Sequence, residues 1–172
     1  VKKEDLKIEN LKALEAGMAN LQRHVENVQK FGLVPVISIN RFSADTDAEI
    51  ALVKSACAKL GVEAVMADHW AEGGKGAADV ARAVVKVIEG GKSKMKLLYP
   101  DEMPLLEKIR TIAKEIYRAK DVAIDKSVRD QLASFEAMGF GKVPVCIAKT
   151  QYSFSTNPDA KGAPNDHVLT VR

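Results

Sequence analysis

Leu11, Leu14, Met18, Leu21, Val25 and Val28 recur at alternating steps of three and four, the period of an amphipathic helix with a narrow apolar seam. The seam predicts a helix to about Lys30, stopped at Phe31-Gly32. A coiled coil needs roughly three to four heptads, more than this seam offers, so packing against the chain's own sheet or another part of the protein is expected. Residues 33–39 (LVPVISI) form a continuous β-branched run, the mark of a strand buried on both faces, with Pro35 near its start where a missing N–H is tolerated. Thr46-x-x-Glu49 is a capping box, and Ile50, Val53, Cys57 and Leu60 carry a helix to a Gly61 stop. A short strand follows over 62–67, then a Gly-rich loop over 68–76 and a helix over 77–89 closed by Gly90-Gly91.

The pattern then repeats behind a polar connector that holds Lys92, Lys94 and Lys96. Asp101 and Pro104 open a helix with Leu105, Ile109, Ile112 and Ile116 on one face, and 121–124 is a weak strand. Ser127-x-x-Asp130 is expected to cap a helix bearing Val128, Leu132, Phe135 and Met138, ended by Gly139 and Gly141. Residues 143–148 (VPVCIA) read as a third strong strand, 149–166 as a long loop, and the last residues as strand again. Alternating strands and helices predict an α/β fold: a mainly parallel or mixed sheet of about five strands with flanking helices in Rossmann-like layers. The expected organisation is one α/β domain over 1–172: an N-terminal helix over 1–32, alternating elements over 33–148, then the loop and a truncated strand over 149–172. A chain that opens Val1-Lys2-Lys3 and stops inside a strand is expected to be a fragment of a longer protein.

Composition narrows the class. With 47% hydrophobic and 28% charged residues among 172, disorder is excluded, and a net charge of +3 is no nucleic-acid footprint. No apolar run approaches the ~20 residues of a membrane span. Cys57 on a helix stripe and Cys146 inside an apolar strand both read as small buried hydrophobes, without metal or redox spacing, which fits a reducing, cytoplasmic setting.

Ligands of open α/β sheets bind beyond the carboxyl ends of the strands, which selects the loops over 40–44, 68–76 and 149–166. Four of the chain's aromatics (Phe42, Trp70, Tyr152 and Phe154) fall there. Either they sandwich a planar ligand, each offset-stacked contact contributing about 1 kcal/mol, or they cap the ends of the core. Gly73-Gly74-Lys75-Gly76 ahead of a helix is either a weak anion nest or a flexible turn, since neither G-x-x-x-x-G-K-[ST] nor G-x-G-x-x-G occurs. Asn40-Arg41-x-x-x-Asp45 has the placement of a base-reading loop in nucleotide hydrolases, but without a phosphate loop it speaks for architecture only. His24 and His167 read as solvated. His69 is the one histidine in a candidate loop, without a nucleophile partner. Asp45, Asp47, Asp68 and Glu72 are either solvated or hydrogen-bond a heterocycle's amino groups.

At these loops the chain resembles formate–tetrahydrofolate ligases. The resemblance rests on Asn20-Leu21-x-x-His24-x-x-Asn27, Val34-Pro35-Val36-x-x-x-Asn40-Arg41-Phe42 with Asp45-Thr46, His69-Trp70-Ala71-x-Gly73-Gly74-x-Gly76-Ala77, and Pro144-Val145-Cys146-x-Ala148-Lys149-Thr150-Gln151-Tyr152-Ser153. It covers essentially the whole chain, but about a third of a family subunit, from its C-terminal half. It implies a folate-binding portion of an enzyme that makes formyl phosphate from ATP and formate, then passes the formyl group to N10 of tetrahydrofolate. Phe42 and Trp70 match the family's pterin-stacking pair. Asn40, Arg41, Asp68, His69, Gly73, Gly74, Lys149, Gln151 and Tyr152 match its active-site wall. The phosphate-binding loop and its lysine have no counterpart here, so the resemblance implies that ATP and Mg bind mainly to other domains and that no catalytic or metal-ligating residue lies in this chain. It implies as partners the small-molecule folate, the remaining ligase domains and a homo-oligomer (a tetramer in the family), with no nucleic acid and no membrane. The competing readings are a non-catalytic scaffold docking through the N-terminal helix, and a nucleotide-binding module using 40–45 and 73–76.

Overall fold

The computed structural model describes residues 2–148 and 154–172. The chain divides into two compact units, Val1–Lys96 and Leu97–Arg172. Each carries its own core and its own parallel pair of strands. Among the described residues there are four strands, two in each sheet, where the sequence pattern leads to one sheet of about five.

The first unit begins with a 3-10 turn, Lys3–Lys7, and the predicted helix α1, Leu11–Lys30. The Asn10 side chain caps α1 by accepting the Ala13 N–H at 2.9 Å. Strand β1, Val36–Asn40, is followed by α2, Asp47–Lys59, which starts at the predicted capping box: Thr46 Oγ1 accepts the Glu49 N–H, and Glu49 Oε2 accepts the Thr46 N–H. Glu49 Oε1 also accepts the Asn10 N–H at 3.1 Å, which ties the start of α2 to the start of α1. The Gly61 and Val62 amides close back on the carbonyls of Ala58 and Cys57, a Schellman stop that delivers the chain into β2, Glu63–Ala67. The two strands run parallel, from Val36 opposite Glu63 to Asn40 opposite Ala67. Val25 of α1, Cys57 of α2 and Val62 form the buried core, with Leu21, Ile37, Val53, Leu60 and Ala64 packed on it. Of the α1 seam, Leu21 and Val25 pack into this core, while Leu11 and Val28 remain exposed.

Beyond β2 the sequence pattern leads to an irregular loop, but the backbone winds. A single helical turn α3, His69–Glu72, and a 3-10 turn, Gly73–Ala77, lead into α4, Ala78–Glu89.

The second unit holds α5, Leu105–Glu115, β3, Asp121–Ala123, α6, Lys126–Ala137, a 3-10 turn, Phe140–Lys142, and β4, Val168–Thr170. Strands β3 and β4 pair in parallel, with Asp121 opposite Val168. The core joins Ala113, Tyr117, Ala119, Phe154 and Leu169. Helix α6 is capped by Asp125, whose carboxylate accepts the Val128 N–H at 2.9 Å, and not by Ser127, whose hydroxyl donates to that same carboxylate. The Glu136 carboxylate of α6 accepts the Leu105 N–H at 2.7 Å, so one helix caps the start of the other.

The predicted strand over 143–148 is absent. Side chains have taken the backbone groups a neighbouring strand would need. The fully buried Lys108 donates to the carbonyls of Gly141 and Val143 at 2.9 and 3.0 Å, and the Tyr99 hydroxyl accepts the Val145 N–H at 3.0 Å. Pro144 has no N–H to offer. Cys146 is exposed in consequence, contrary to the expectation of a buried strand residue, whereas Cys57 is buried as expected.

Candidate functional site

The carboxyl ends of β1 and β2 lie side by side, because Asn40 and Ala67 are partners in the parallel register. The two loops that leave them therefore start at the same edge, where open α/β sheets bind ligands. The Arg41 N–H extends the pairing by one residue, donating to the Ala67 carbonyl at 3.4 Å.

The first loop is held by its own carboxylate. Asp45 Oδ2 accepts the Phe42 N–H at 2.8 Å, and the Asp45 N–H donates to the Phe42 carbonyl at 3.0 Å. Arg41 pairs with Asp47 at 3.6 Å. With its backbone fixed, the Phe42 ring stands 66% exposed.

The second loop is a closed ring. The Asp68 N–H donates to the Gly76 carbonyl at 3.1 Å, and the Asp68 carbonyl accepts the Ala71 and Glu72 N–H groups at 3.1 and 2.9 Å. Two glycines make this possible. Gly73 sits at φ 58, ψ −143, a region essentially reserved for glycine. A Cβ on Gly76 would lie 2.4 Å from the Asp68 carbonyl oxygen. On this frame the Trp70 indole is 90% exposed. An indole is normally among the more buried side chains, so an open one calls for a partner.

Between the loops lies a cleft of about 560 Å³, within the range of small-molecule sites. Asn40, Arg41, Phe42 and Ser43 line it from the first loop, and Asp68, Trp70, Ala71 and Glu72 from the second. Of the residues expected from the sequence, Asn40, Arg41, Phe42, Asp68 and Trp70 are thus brought together. His69, Gly73 and Gly74 are not on the cleft wall, although His69 and Gly73 belong to the ring that carries Trp70. Lys149, Gln151 and Tyr152 lie outside the described residues. Ser43 and Ala71 were not singled out by sequence; their adjacency to Phe42 and Trp70 was the available signal.

The aromatics separate cleanly. Phe154 is 4% exposed and meets Tyr117 edge-on, ring centres 6.2 Å apart, so it belongs to the core rather than to a site. His167, read from sequence as solvated, has both ring nitrogens buried. Residues 73–76 form a 3-10 turn whose Gly76 carbonyl accepts the Asp68 N–H. A second cavity of about 450 Å³ in the other unit is walled by core side chains such as Ile109, Tyr117 and Leu169. Among the described residues it gathers none of those expected at a site. Among the described residues no three His, Cys, Asp or Glu side chains converge as metal ligands, and no Walker sequence is present.

Parallel strand pairs flanked by helices define an α/β chain, and the β1–β2 pair carries an aromatic-walled cleft at its carboxyl edge, the place where open α/β sheets bind small ligands. The chain belongs to the formate–tetrahydrofolate ligase family, whose model matches residues 1–172. It is 54% identical to a formate–tetrahydrofolate ligase of Granulibacter bethesdensis over all 172 residues, which is 30% of that protein. The ligases of Rhizobium rhizogenes and Rhizobium etli are each 54% identical across the same span, 31% of their length. The chain thus spans somewhat under a third of these curated relatives.

Proposed function

We propose that this chain supplies the tetrahydrofolate-binding wall of an ATP-dependent, cytoplasmic formate–tetrahydrofolate ligase, with Phe42 and Trp70 stacking on the two faces of the pterin ring. The observation that carries the reading is that the two exposed loop aromatics share one cleft at the carboxyl edge of β1 and β2. A flat bicyclic ring covers exposed aromatic surface and gains about 1 kcal/mol per stacked face beyond area burial. The relatives' names supply the ligand class.

The wall binds and orients; the phosphoryl chemistry is left to other parts of the enzyme. Formation of formyl phosphate needs positioned positive charge around phosphates, and the sequence carries no Walker-type phosphate-binding motif to supply it. We therefore expect no 10-formyltetrahydrofolate from this chain supplied with ATP, formate and tetrahydrofolate. A steady turnover in that assay would overturn the division of labour. The remaining ligase domains, and a homo-oligomer of the whole enzyme, are the expected partners.

The direct test is an anaerobic titration with tetrahydrofolate that follows the emission of Trp70, the only tryptophan in the chain, alongside calorimetry. Saturable quenching with a matching heat is the expected result. No response by either method removes the reading, and a response to ATP alone replaces it with a nucleotide site.

A further inference from the structure

Stacking rings hold a heterocycle's faces but leave its rotation in the plane undecided; edge hydrogen bonds must fix that. Four carboxylates stand on or beside the cleft, and they differ in how free they are: Asp47 pairs with Arg41. Asp45 is committed to the Phe42 N–H. Glu72 is exposed at the far end of the α3 turn. Asp68 is half-buried, directly beyond the end of β2, and lines the cleft.

Its backbone is among the most constrained in the unit, with its N–H bonded to Gly76 and its carbonyl shared by Ala71 and Glu72. Gly76 admits no side chain at that point, which keeps the two strands of the ring in contact. Asp68 also occupies the N-cap position of α3, where an aspartate ordinarily accepts a backbone N–H from the first turn, yet it makes no such bond. Among the described residues its carboxylate has no hydrogen-bond or ion-pair partner. A fixed backbone carrying an uncommitted, half-buried carboxylate on the wall of a cleft is the arrangement of a recognition group.

We propose that Asp68 determines which heterocycle the cleft accepts, its two carboxylate oxygens receiving the adjacent N3–H and 2-amino hydrogens of a 2-amino-4-oxopteridine. This rests on the folate reading of the cleft. A carboxylate offers two acceptors at the spacing of two parallel N–H donors, and such paired, charge-assisted bonds are the strong ones. A 2-oxo ring would instead turn an oxygen towards the carboxylate and be rejected.

The test compares 6-methyltetrahydropterin with 6-methyltetrahydrolumazine, which differ at position 2 by an amino group against an oxygen. Both are titrated anaerobically into the whole chain by Trp70 emission and calorimetry. The wild-type chain is expected to bind the pterin more tightly, on the order of thirtyfold. Asp68→Asn, with one acceptor and one donor, should weaken the pterin by a similar factor and tighten the lumazine, reversing the preference. Equal affinity of the wild-type chain for both rings overturns the assignment without any variant. So does an Asp68→Asn chain of native circular dichroism that keeps the wild-type preference, and in that case the folate site itself stands. A wild-type chain that binds neither ring removes the folate reading, and Asp68 falls with it.

Discussion

Trp70 and Lys108 are the two residues least like their types. An indole 90% exposed has given up the burial that ordinarily justifies it, and the ring of backbone bonds around Asp68 holds it there. Because it supports little of the unit's core, Trp70→Ala should leave the circular dichroism and thermal midpoint unchanged. It should weaken tetrahydrofolate binding about tenfold or more, measured by calorimetry because the fluorescence reporter is lost with the side chain. An unchanged affinity would show that the rings are not the binding wall. Lys108 is the opposite case, a fully buried side chain with no ion-pair partner among the described residues. It is tolerated because two carbonyls accept its protons and the Tyr99 ring lies 5.7 Å from its Nζ. Its work is local architecture, holding the turn after α6 in place.

Among the elements, the long helices were legible, while the short α3 turn and the irregular backbone over 143–148 were not. The three-four spacing of α1, the Thr46–Glu49 box and the Gly61 stop depend on neighbours in sequence, so the sequence carries them. Residues 143–148 look like a buried strand because they are apolar and β-branched, but a strand exists only if another strand accepts its ladder. Lys108, donating to the carbonyls of Gly141 and Val143, and Tyr99, accepting the Val145 N–H, are far away in sequence and take these groups instead. The α3 turn was illegible for a related reason: His69-Trp70-Ala71-Glu72 is short, and the bonds that wind it run to the Asp68 carbonyl. The cleft was readable in outline because the placement of loops at strand ends is a rule of topology, while the choice of Asp68 among nearby carboxylates needed the hydrogen bonds. The start of α2 also sets an acid limit. The N–H groups of Thr46 and then Asn10 donate to Glu49 and hold its carboxyl below the ordinary carboxylate range. At Asp125 the Val128 N–H, then the Ser127 hydroxyl, act in the same direction. A lowered native value means that folding favours the ionised form. That contribution is complete above the unfolded-state values and is lost as pH falls through the native ones. Stability measured by urea should therefore decline on the acid side of about pH 4.5, the free glutamate value, with a shallower slope in Glu49→Gln. Thr46→Ala should cost about 1 kcal/mol at neutral pH. An identical acid slope in Glu49→Gln would remove the capping box as its source.

At the scale of the molecule, every described residue that lines the cleft belongs to the first compact unit. Residues 1–96 produced alone should then fold and quench with tetrahydrofolate at the same midpoint as the whole chain. A loss of binding in a folded 96-residue chain would mean that the second unit contributes to the wall. The relatives are more than three times as long, which fits a division in which recognition of one substrate and activation of another sit in different stretches of chain. The closed ring over residues 68–76 has a further bearing on how the site behaves in time. A loop tied at its base by the Asp68–Gly76 bond has already surrendered its freedom during folding, so an arriving ring finds a wall that need not be assembled around it. Little disorder is left to be lost on capture, and the lifetime of the complex is then set by how well ring and wall match, not by how often the loop opens.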